Sequence, residues 1–319
     1  MDAKTSSALR LCIVVPCFNE SEALKQTDEI LNEVLLSLKN DSYVSDKSYI
    51  LYVDDGSTDR TWDLLNELKA DSDSLQAIKF SRNFGHQNAL FAGLMHAKET
   101  ADCTVSIDAD LQQDPWAIGN FIDKYREGCE VVLGVRENRE TDGLMKKFTA
   151  WLYYRLLRFF GVDLVVNHAD YRLLGQQALK VLSQYDEYNL FLRGLVLDLG
   201  FKQATVDFIV SDRLYGTTKY TLAKMFRLAL DGITSFTTTP LRLFSILGVF
   251  IVMLSGLSLG YVLMIRLLGD PVPGWASTLL PIYLIGGFNA LGIGLLGEYV
   301  SKIYSEIKKR PRYIIEDVI

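Results

Sequence analysis

Val105-Ser-Ile-Asp-Ala-Asp-Leu-Gln-Gln-Asp-Pro115 is the stretch around which the chain is organised. The β-branched run from Val105 to Ile107 reads as the end of a buried strand, and Pro115 marks the start of a helix. Asp108 and Asp110 therefore fall in the turn between them. Carboxylates just beyond the carboxyl end of a strand stand where open α/β sheets bind ligands. An all-oxygen donor set suits Mg²⁺ or Mn²⁺, and such an ion would most naturally hold a substrate diphosphate. Gln112 can add a neutral oxygen to the same site. A bare Asp-x-Asp is also what a helix cap in a solvated turn looks like, so the rest of the chain has to decide.

Outward from this turn, apolar runs and helical patterns alternate. Leu11 to Val15 reads as a first buried strand that stops at Pro16, followed by Cys17-Phe-Asn-Glu20. Ser21 then caps a helix whose apolar positions Leu24, Ile30, Leu31, Val34, Leu35 and Leu38 share one face. Tyr49 to Val53 is a second strand, ending in Asp54-Asp-Gly-Ser-Thr-Asp59. Gly56 suits the tight turn there, and Thr58 or Asp59 caps a helix to Lys69. Leu75 to Phe80, Cys103 to Ile107 and Glu130 to Gly134 are further strands. Helices follow Ser81-Arg-Asn-Phe-Gly85, through about Lys98, and run from about Pro115 to Glu127.

This alternation predicts parallel βαβ units in an α/β, doubly wound, mainly parallel sheet. Loops after successive parallel strands converge, so Pro16 to Glu20, Asp54 to Ser57, Arg82 and Asp108 to Gln112 line one crevice. Asp54 and Asp55 suit either hydrogen bonds to a ribose or base, or the chemistry of their own turn. No Gly-x-Gly-x-x-Gly or Walker-type loop follows any strand, which excludes the usual dinucleotide oxidoreductases and P-loop phosphotransferases.

The 319 residues carry a formal net charge of -6, which argues against nucleic acid as a partner. Cys12, Cys17, Cys103 and Cys129 have no metal-ligand spacing and read as reduced thiols. Met1 to Arg10 lacks the apolar core of a signal peptide, so the catalytic part is expected in the cytoplasm.

Past Gly134 the pattern changes to basic and aromatic clusters. Arg136 and Arg139 follow the fifth strand, and Lys146 and Lys147 open the run from Phe148 to Phe160. This run fits a helix on a membrane surface that presents cations to a lipid phosphate, or one packed on the sheet. Arg213 and Lys219 flank a Gly-containing loop suited to closing over a diphosphate. Leu222 to Phe236 reads as an interfacial amphipathic helix.

Leu243 to Ile265 has no charged residue and would extend about 34 Å as a helix. Thr278 to Leu296 is a second uncharged segment, and glycines in both leave room for close helix contacts and self-association. Arg242 precedes the pair and Lys302, Lys308, Lys309, Arg310 and Arg312 follow it. The connecting loop has no Lys or Arg, which puts both termini in the cytoplasm, with Arg266 mildly contrary. The expected organisation is a catalytic domain (1–221), an interfacial helix and connector (222–240), a two-helix transmembrane hairpin (241–300) and a basic tail (301–319).

Val14-Val-Pro-Cys-Phe-Asn-Glu20, Val53-Asp-Asp-Gly-Ser-Thr-Asp59, Ser81-Arg-Asn-Phe-Gly85 and Asp108-Ala-Asp-Leu-Gln112, in this order, resemble the inverting family 2 glycosyltransferases with a GT-A fold. The resemblance implies a nucleoside diphosphate sugar as donor. Pro16, Glu20, Asp54 and Arg82 would lie around it, and Asp108, Asp110 and Gln112 around a Mg²⁺ or Mn²⁺ ion and the diphosphate. Asp170, in Asn167-His-Ala-Asp-Tyr-Arg172, is the implied base or acceptor-orienting residue, while His168 reads as structural. A lipid phosphate is largely ionised at neutral pH, so Asp170 is expected to align groups more than to take a proton.

Arg213-Leu-Tyr-Gly-Thr-Thr-Lys-Tyr220 is similar to the Arg-x-x-Gly-x-Ser-Lys-Tyr segment of polyprenyl-phosphate glycosyltransferases, with Thr218 in place of Ser. The carboxyl-terminal segments resemble bacterial undecaprenyl-phosphate enzymes, among them the bactoprenol glucosyltransferases. Transfer of a sugar to a polyprenyl phosphate at the cytoplasmic face of a bacterial inner membrane is what this implies, with Arg136 and Lys146 or Lys147 on the acceptor phosphate. Glucose from UDP is the first choice, with mannose from GDP and modified arabinose left open. A processive polysaccharide synthase fits less well, because the Gln-x-x-Arg-Trp such enzymes usually carry is absent. A non-catalytic membrane scaffold would not need the carboxylates.

Overall fold

A computed structural model describes residues 8–137, 155, 168–188, 190–209, 237–268 and 274–319. The segments that hold Arg139, Lys146, Lys147, the 148–160 run apart from Arg155, Arg213, Lys219 and the expected interfacial helix at 222–236 lie outside the described residues. The chain divides into two units. The larger comprises 1–154, 164–221 and 310–319, and the smaller 155–163 and 222–309.

In the larger unit the strands are β1 (Leu11–Cys17), β2 (Tyr49–Asp54), β3 (Leu75–Phe80), β4 (Cys103–Ser106), β5 (Val131–Arg136), β6 (His168–Gly175), β7 (Gln203–Phe208) and β8 (Ile315–Val318). They form one sheet in the order β7-β5-β6-β4-β1-β2-β3-β8. β1 to β4 pair in parallel, as do β5 and β7. β6 runs antiparallel to both β4 and β5, and β8 antiparallel to β3. The mainly parallel sheet is as expected, but β6, β7 and β8 are additional to the five strands expected from the sequence.

The helices of this unit are α1 (Leu24–Asn40), α2 (Thr61–Asp71), α3 (His86–Ala97), α4 (Ile118–Arg126), α5 (Gln176–Leu182) and α6 (Leu192–Asp198). Alternate residues of a strand face opposite sides of a sheet. Leu11, Ile13, Val15 and Cys17 join a core with Leu31, Leu35, Leu65, Phe121 and Ile122, which places α1, α2 and α4 on one face. Val14 and Val53 point the other way, onto α3. A Cβ added at Gly93 would stand 2.4 Å from Val14 Cγ1 and 3.0 Å from Val53 Cγ2, so this glycine is what lets α3 lie against the sheet.

Three local expectations are corrected. β1 does not stop at Pro16 but runs to Cys17, with Pro16 in register with Val53. The carbonyls of Val14 and Cys17 bond to Ile107 and Asp55 respectively, so Pro16 faces the β4 side beyond the end of that ladder, where a missing N–H leaves no hydrogen bond unmade. Ser21 does not cap α1. The helix begins at Leu24 after Ala23 with no side-chain cap, while the Ser21 N–H donates to Asp59. The helix at Pro115 opens as a single 3₁₀ turn, Pro115–Ala117, before α4.

The tail read as basic flank also builds structure in the larger unit. β8 covers the outer edge of β3, Tyr313 stacks on Phe80 with ring centroids 5.0 Å apart, and Arg312 lies over the Phe91 ring and donates to the Tyr185 carbonyl. Covering an edge strand removes a template for unwanted pairing. All four cysteines are free and buried.

The smaller unit contains α7 (Thr239–Leu268) and α8 (Trp275–Ile307). Phe244 stacks on Phe288 at 4.3 Å, Gly292 admits the Phe244 ring, and the Tyr299 hydroxyl donates to the Thr237 carbonyl. Among the described residues no helix is long and apolar enough to cross a membrane. The backbones of α7 and α8 run 30 and 33 residues.

Candidate active site

The carboxyl ends of β1, β2 and β4, the start of α3 and the start of β6 bring the acidic loops together. Asp108 and Asp110 occupy the turn after β4, and the ordinary alternative for them, capping the next helix, is met by a different residue. The Asp114 carboxylate accepts from the Trp116 N–H at 3.0 Å. Leu111 in the same turn has φ +50, a left-handed conformation that a branched side chain adopts under strain.

Asp108 is gripped by Gln113, which is buried. The glutamine Nε2 donates to Asp108 Oδ2 at 2.7 Å, and its Oε1 accepts from the Asp108 N–H at 2.9 Å. The Gln112 N–H donates to Asp110 Oδ1 at 3.2 Å. Behind the turn, the buried Thr27 hydroxyl of α1 donates to the Ala109 carbonyl at 2.7 Å. Loss of solvent raises the Asp108 pKa, and Asp170 and Asp110 push it the same way, against His86 and Arg193.

Asp170 on β6 faces this turn. Its carboxylate accepts from Arg193 Nε at 3.2 Å and Nη2 at 3.0 Å, and from Arg172 Nη2. Burial would raise its pKa, but the Arg193 and Arg172 guanidiniums outweigh burial and hold the carboxyl well below the usual carboxylate range. Arg172 is fully buried, with Nε and Nη1 lacking a hydrogen-bond partner among the described residues. His86, the first residue of α3, places Nε2 3.7 Å from Asp108 Oδ1 and 3.8 Å from Asp170 Oδ2. Backbone pairing puts His168 opposite Val135.

The first two loops are braced against each other. Asn19 Oδ1 accepts from the Thr58 N–H at 2.8 Å, and the N–H groups of Asn19 and Glu20 donate to Ser57 and Thr61. Asp54 Oδ1 accepts from the N–H and hydroxyl of Ser57, while its buried Oδ2 has no partner among the described residues. Burial raises the Asp54 pKa. Asp55 has turn chemistry instead, accepting from the N–H groups of Phe84 and Gly85 at 2.7 and 2.9 Å. Gly56, at φ +67, lies so close to the next loop that a Cβ would meet the Arg82 carbonyl carbon at 2.3 Å. Arg82 is exposed at the rim with its guanidinium 4.0 Å over the Phe84 ring. Arg136 ends β5.

Asp54, Asp108, Asp110 and Asp170, all chosen from sequence, thus lie on the loops and strand ends of one sheet. His86, Gln113, Arg172 and Arg193 were not chosen. His86 follows the quoted Ser81–Gly85 motif directly. Arg172 is two residues from Asp170, hence on the same side of a strand once 168–175 is taken as one. Arg193 has no sequence signal, because its link to Asp170 spans 23 positions.

A mixed α/β sheet with carboxylates gathered at the carboxyl ends of its parallel strands is the arrangement of a GT-A-like protein. The chain belongs to glycosyl transferase family 2, whose model matches residues 12–182. It is 46% identical over 306 residues to the uncharacterized glycosyltransferase YkoT of Bacillus subtilis, covering 96% of this chain and 91% of that one. It is 36% identical over 313 residues to the SfII prophage-derived bactoprenol glucosyl transferase of Shigella flexneri, covering 97% and 98%. Among solved structures, the mannosyltransferase PcManGT from Pyrobaculum calidifontis, in complex with GDP-Man and Mn²⁺, aligns at 16% identity with a TM-score of 0.45 over 96% of this chain and 87% of that one.

Proposed function

We propose that this glycosyltransferase moves glucose from UDP-glucose to a polyprenyl phosphate, with inversion, at the cytoplasmic face of a bacterial membrane. The observation that carries this reading is likeness along nearly the whole chain, carboxyl-terminal helices included, to proteins named bactoprenol glucosyl transferases. The carboxylates at the strand ends support the donor half. The buried, partnerless Asp54 Oδ2 suits acceptance of a hydrogen bond from the nucleoside, with Pro16, Glu20 and Arg82 around it.

Asp108 and Asp110, with the Gln112 amide oxygen, would hold a Mg²⁺ or Mn²⁺ ion. The residues fit one: a mutually repelling carboxylate pair, with Asp108 raised by burial, gains from a cation between them. In this reading the donor set would be the carboxylate pair, an amide oxygen and the donor's own phosphates; among the described residues no group of three or more His, Cys, Asp and Glu is placed to hold a metal ion. The ion supplies charge neutralisation at the departing diphosphate.

The lipid phosphate oxygen attacks the anomeric carbon as the bond to the nucleoside diphosphate breaks. Because that phosphate is largely ionised near pH 7, no proton has to be removed. Asp170, tied to Arg172 and Arg193 with its pKa held down, is a poor base and suits orientation. Arg136, Lys146 and Lys147 would meet the acceptor phosphate, and Arg213 and Lys219 the leaving diphosphate. Bilayer insertion of α7 and α8 would bring the insoluble acceptor to the soluble donor. The uncharged runs Leu243–Ile265 and Thr278–Leu296 and the lengths of both helices support it.

The test is incubation of the purified full chain in detergent with undecaprenyl phosphate, Mg²⁺ or Mn²⁺ and a panel of labelled sugar nucleotides, followed by lipid extraction. Label from UDP-glucose in the lipid phase is expected. Label confined to water-soluble polymer or free sugar refutes the lipid-linked reading, and label from another nucleotide sugar refutes the choice of glucose.

A further inference from the structure

Gln113 and Thr27 lie outside the set of groups placed on substrate or metal, yet each makes a 2.7 Å hydrogen bond to the Asp108–Asp110 turn. Gln113 is 1% exposed and spends both ends of its amide on one residue, the Asp108 backbone N–H and the Asp108 carboxylate. A side chain must offer an acceptor and a donor a fixed distance apart to do this. Among uncharged residues of this length only glutamine does so. The bond to Oδ2 fixes the carboxylate's rotation and leaves Oδ1 on the side of His86 and Asp170.

Thr27 is also 1% exposed and holds the turn through the carbonyl of the residue between the two aspartates. The turn needs such restraint, since Leu111 at φ +50 is strained and persists only where its surroundings over-determine it.

We infer that Gln113 is a positioning residue for the metal site, with Thr27 as its brace: Gln113 aims the Asp108 carboxylate at the ion, and Thr27 keeps the backbone between the two aspartates in place. The inference rests on the metal assignment above. Partners that orient a ligand from behind set metal affinity nearly as strongly as the ligands themselves, by roughly 10- to 100-fold.

The experiment uses the full chain in detergent and follows free Mn²⁺ by electron paramagnetic resonance during titration, with and without UDP. Thermal midpoints of the metal-free proteins are recorded in parallel. Gln113→Met keeps length and loses both hydrogen bonds; Thr27→Val keeps shape and loses the hydroxyl's contacts to the Ala109 and Ala23 carbonyls, of which only the first reaches the turn. The expected result is a Mn²⁺ dissociation constant raised on the order of 10- to 100-fold in Gln113→Met and by a smaller factor in Thr27→Val. Transfer by Gln113→Met should recover most of its kcat at high Mn²⁺. A fall in thermal midpoint with wild-type Mn²⁺ affinity, in either variant, overturns the role for that residue and leaves it merely structural. Should Gln113→Met not fold, Gln113→Glu, which keeps the acceptor for the Asp108 N–H and loses the donor to its carboxylate, is titrated in its place and judged by the same two outcomes. Absence of Mn²⁺ binding by the unmodified protein would instead remove the metal assignment, and this inference with it.

Discussion

Replacing Asp170 with asparagine tests the charge arrangement at the centre of the site. Asp170 is the anion between two arginines, and Arg172 is fully buried with two of its nitrogens already lacking partners. Asp170→Asn is nearly isosteric, so it leaves packing intact and strips the buried guanidinium of its counter-charge. Breaking a buried ion pair from one side costs about 3–5 kcal/mol, because the remaining charge stays desolvated. At about 2–4 °C per kcal/mol for a large domain, the thermal midpoint should fall by about 6–20 °C. The Arg193 contact is part-exposed and should add little.

The assay is thermal unfolding of the full chain in detergent at pH 7 and a fixed scan rate, followed by intrinsic fluorescence. The double variant Asp170→Asn/Arg172→Met, which removes the stranded charge as well, should regain at least half of the loss. A fall of less than about 2 °C in the single variant, well under the expected range, would refute the clamp. So would a double variant no more stable than the single one.

Three further outcomes follow from the same geometry. Asp170 is held below its unfolded value of about 3.9, so between the two values the unfolded chain binds more protons and stability rises with pH. The stabilisation is complete above about pH 5 and is lost as pH falls through about 4 and below; denaturation midpoints at pH 5 and pH 3 should differ more for the wild type than for Asp170→Asn. Asp110→Asn should lower sugar transfer by on the order of 10²–10³-fold with an unchanged thermal midpoint, and substantial activity at saturating donor and metal would remove its role. Gly56→Ala should cost about 1–3 kcal/mol, since its φ of +67 disfavours a side chain and the new methyl meets the Arg82 backbone. The same change should reduce the thermal shift produced by UDP, because it displaces the loop carrying Asp54.

The inner strands were legible because β1, β2 and β4 are buried along their whole length, and burial on both faces imposes uninterrupted apolar runs. β6 was not, since Asp170 and Arg172 occupy it and look like loop residues until their pairing is seen. β7 does alternate, with polar Gln203, Thr205 and Asp207 exposed between apolar Ala204, Val206 and Phe208, but it lies beyond the region of strand–helix alternation from which the sheet was read. β8 is exposed throughout and carries no such period. Ser21 has the right chemistry for a cap, but a nearby Asp59 takes up its N–H and the helix starts three residues later.

From residue type and spacing alone, the chain determines a mainly parallel sheet, the acidic turn at Asp108 and Asp110, and two long apolar segments near its carboxyl end. These follow from periods and composition, which are local properties. Only the tertiary structure decides that Asp114 rather than Asp108 or Asp110 caps the following helix, and that Gln113 grips Asp108. It alone decides that Asp170 is held by two arginines and that the tail closes the sheet edge. The links from Asp170 to Arg193, Thr27 to Ala109 and β8 to β3 join residues far apart in the chain. Their strength depends on burial and orientation, which folding creates.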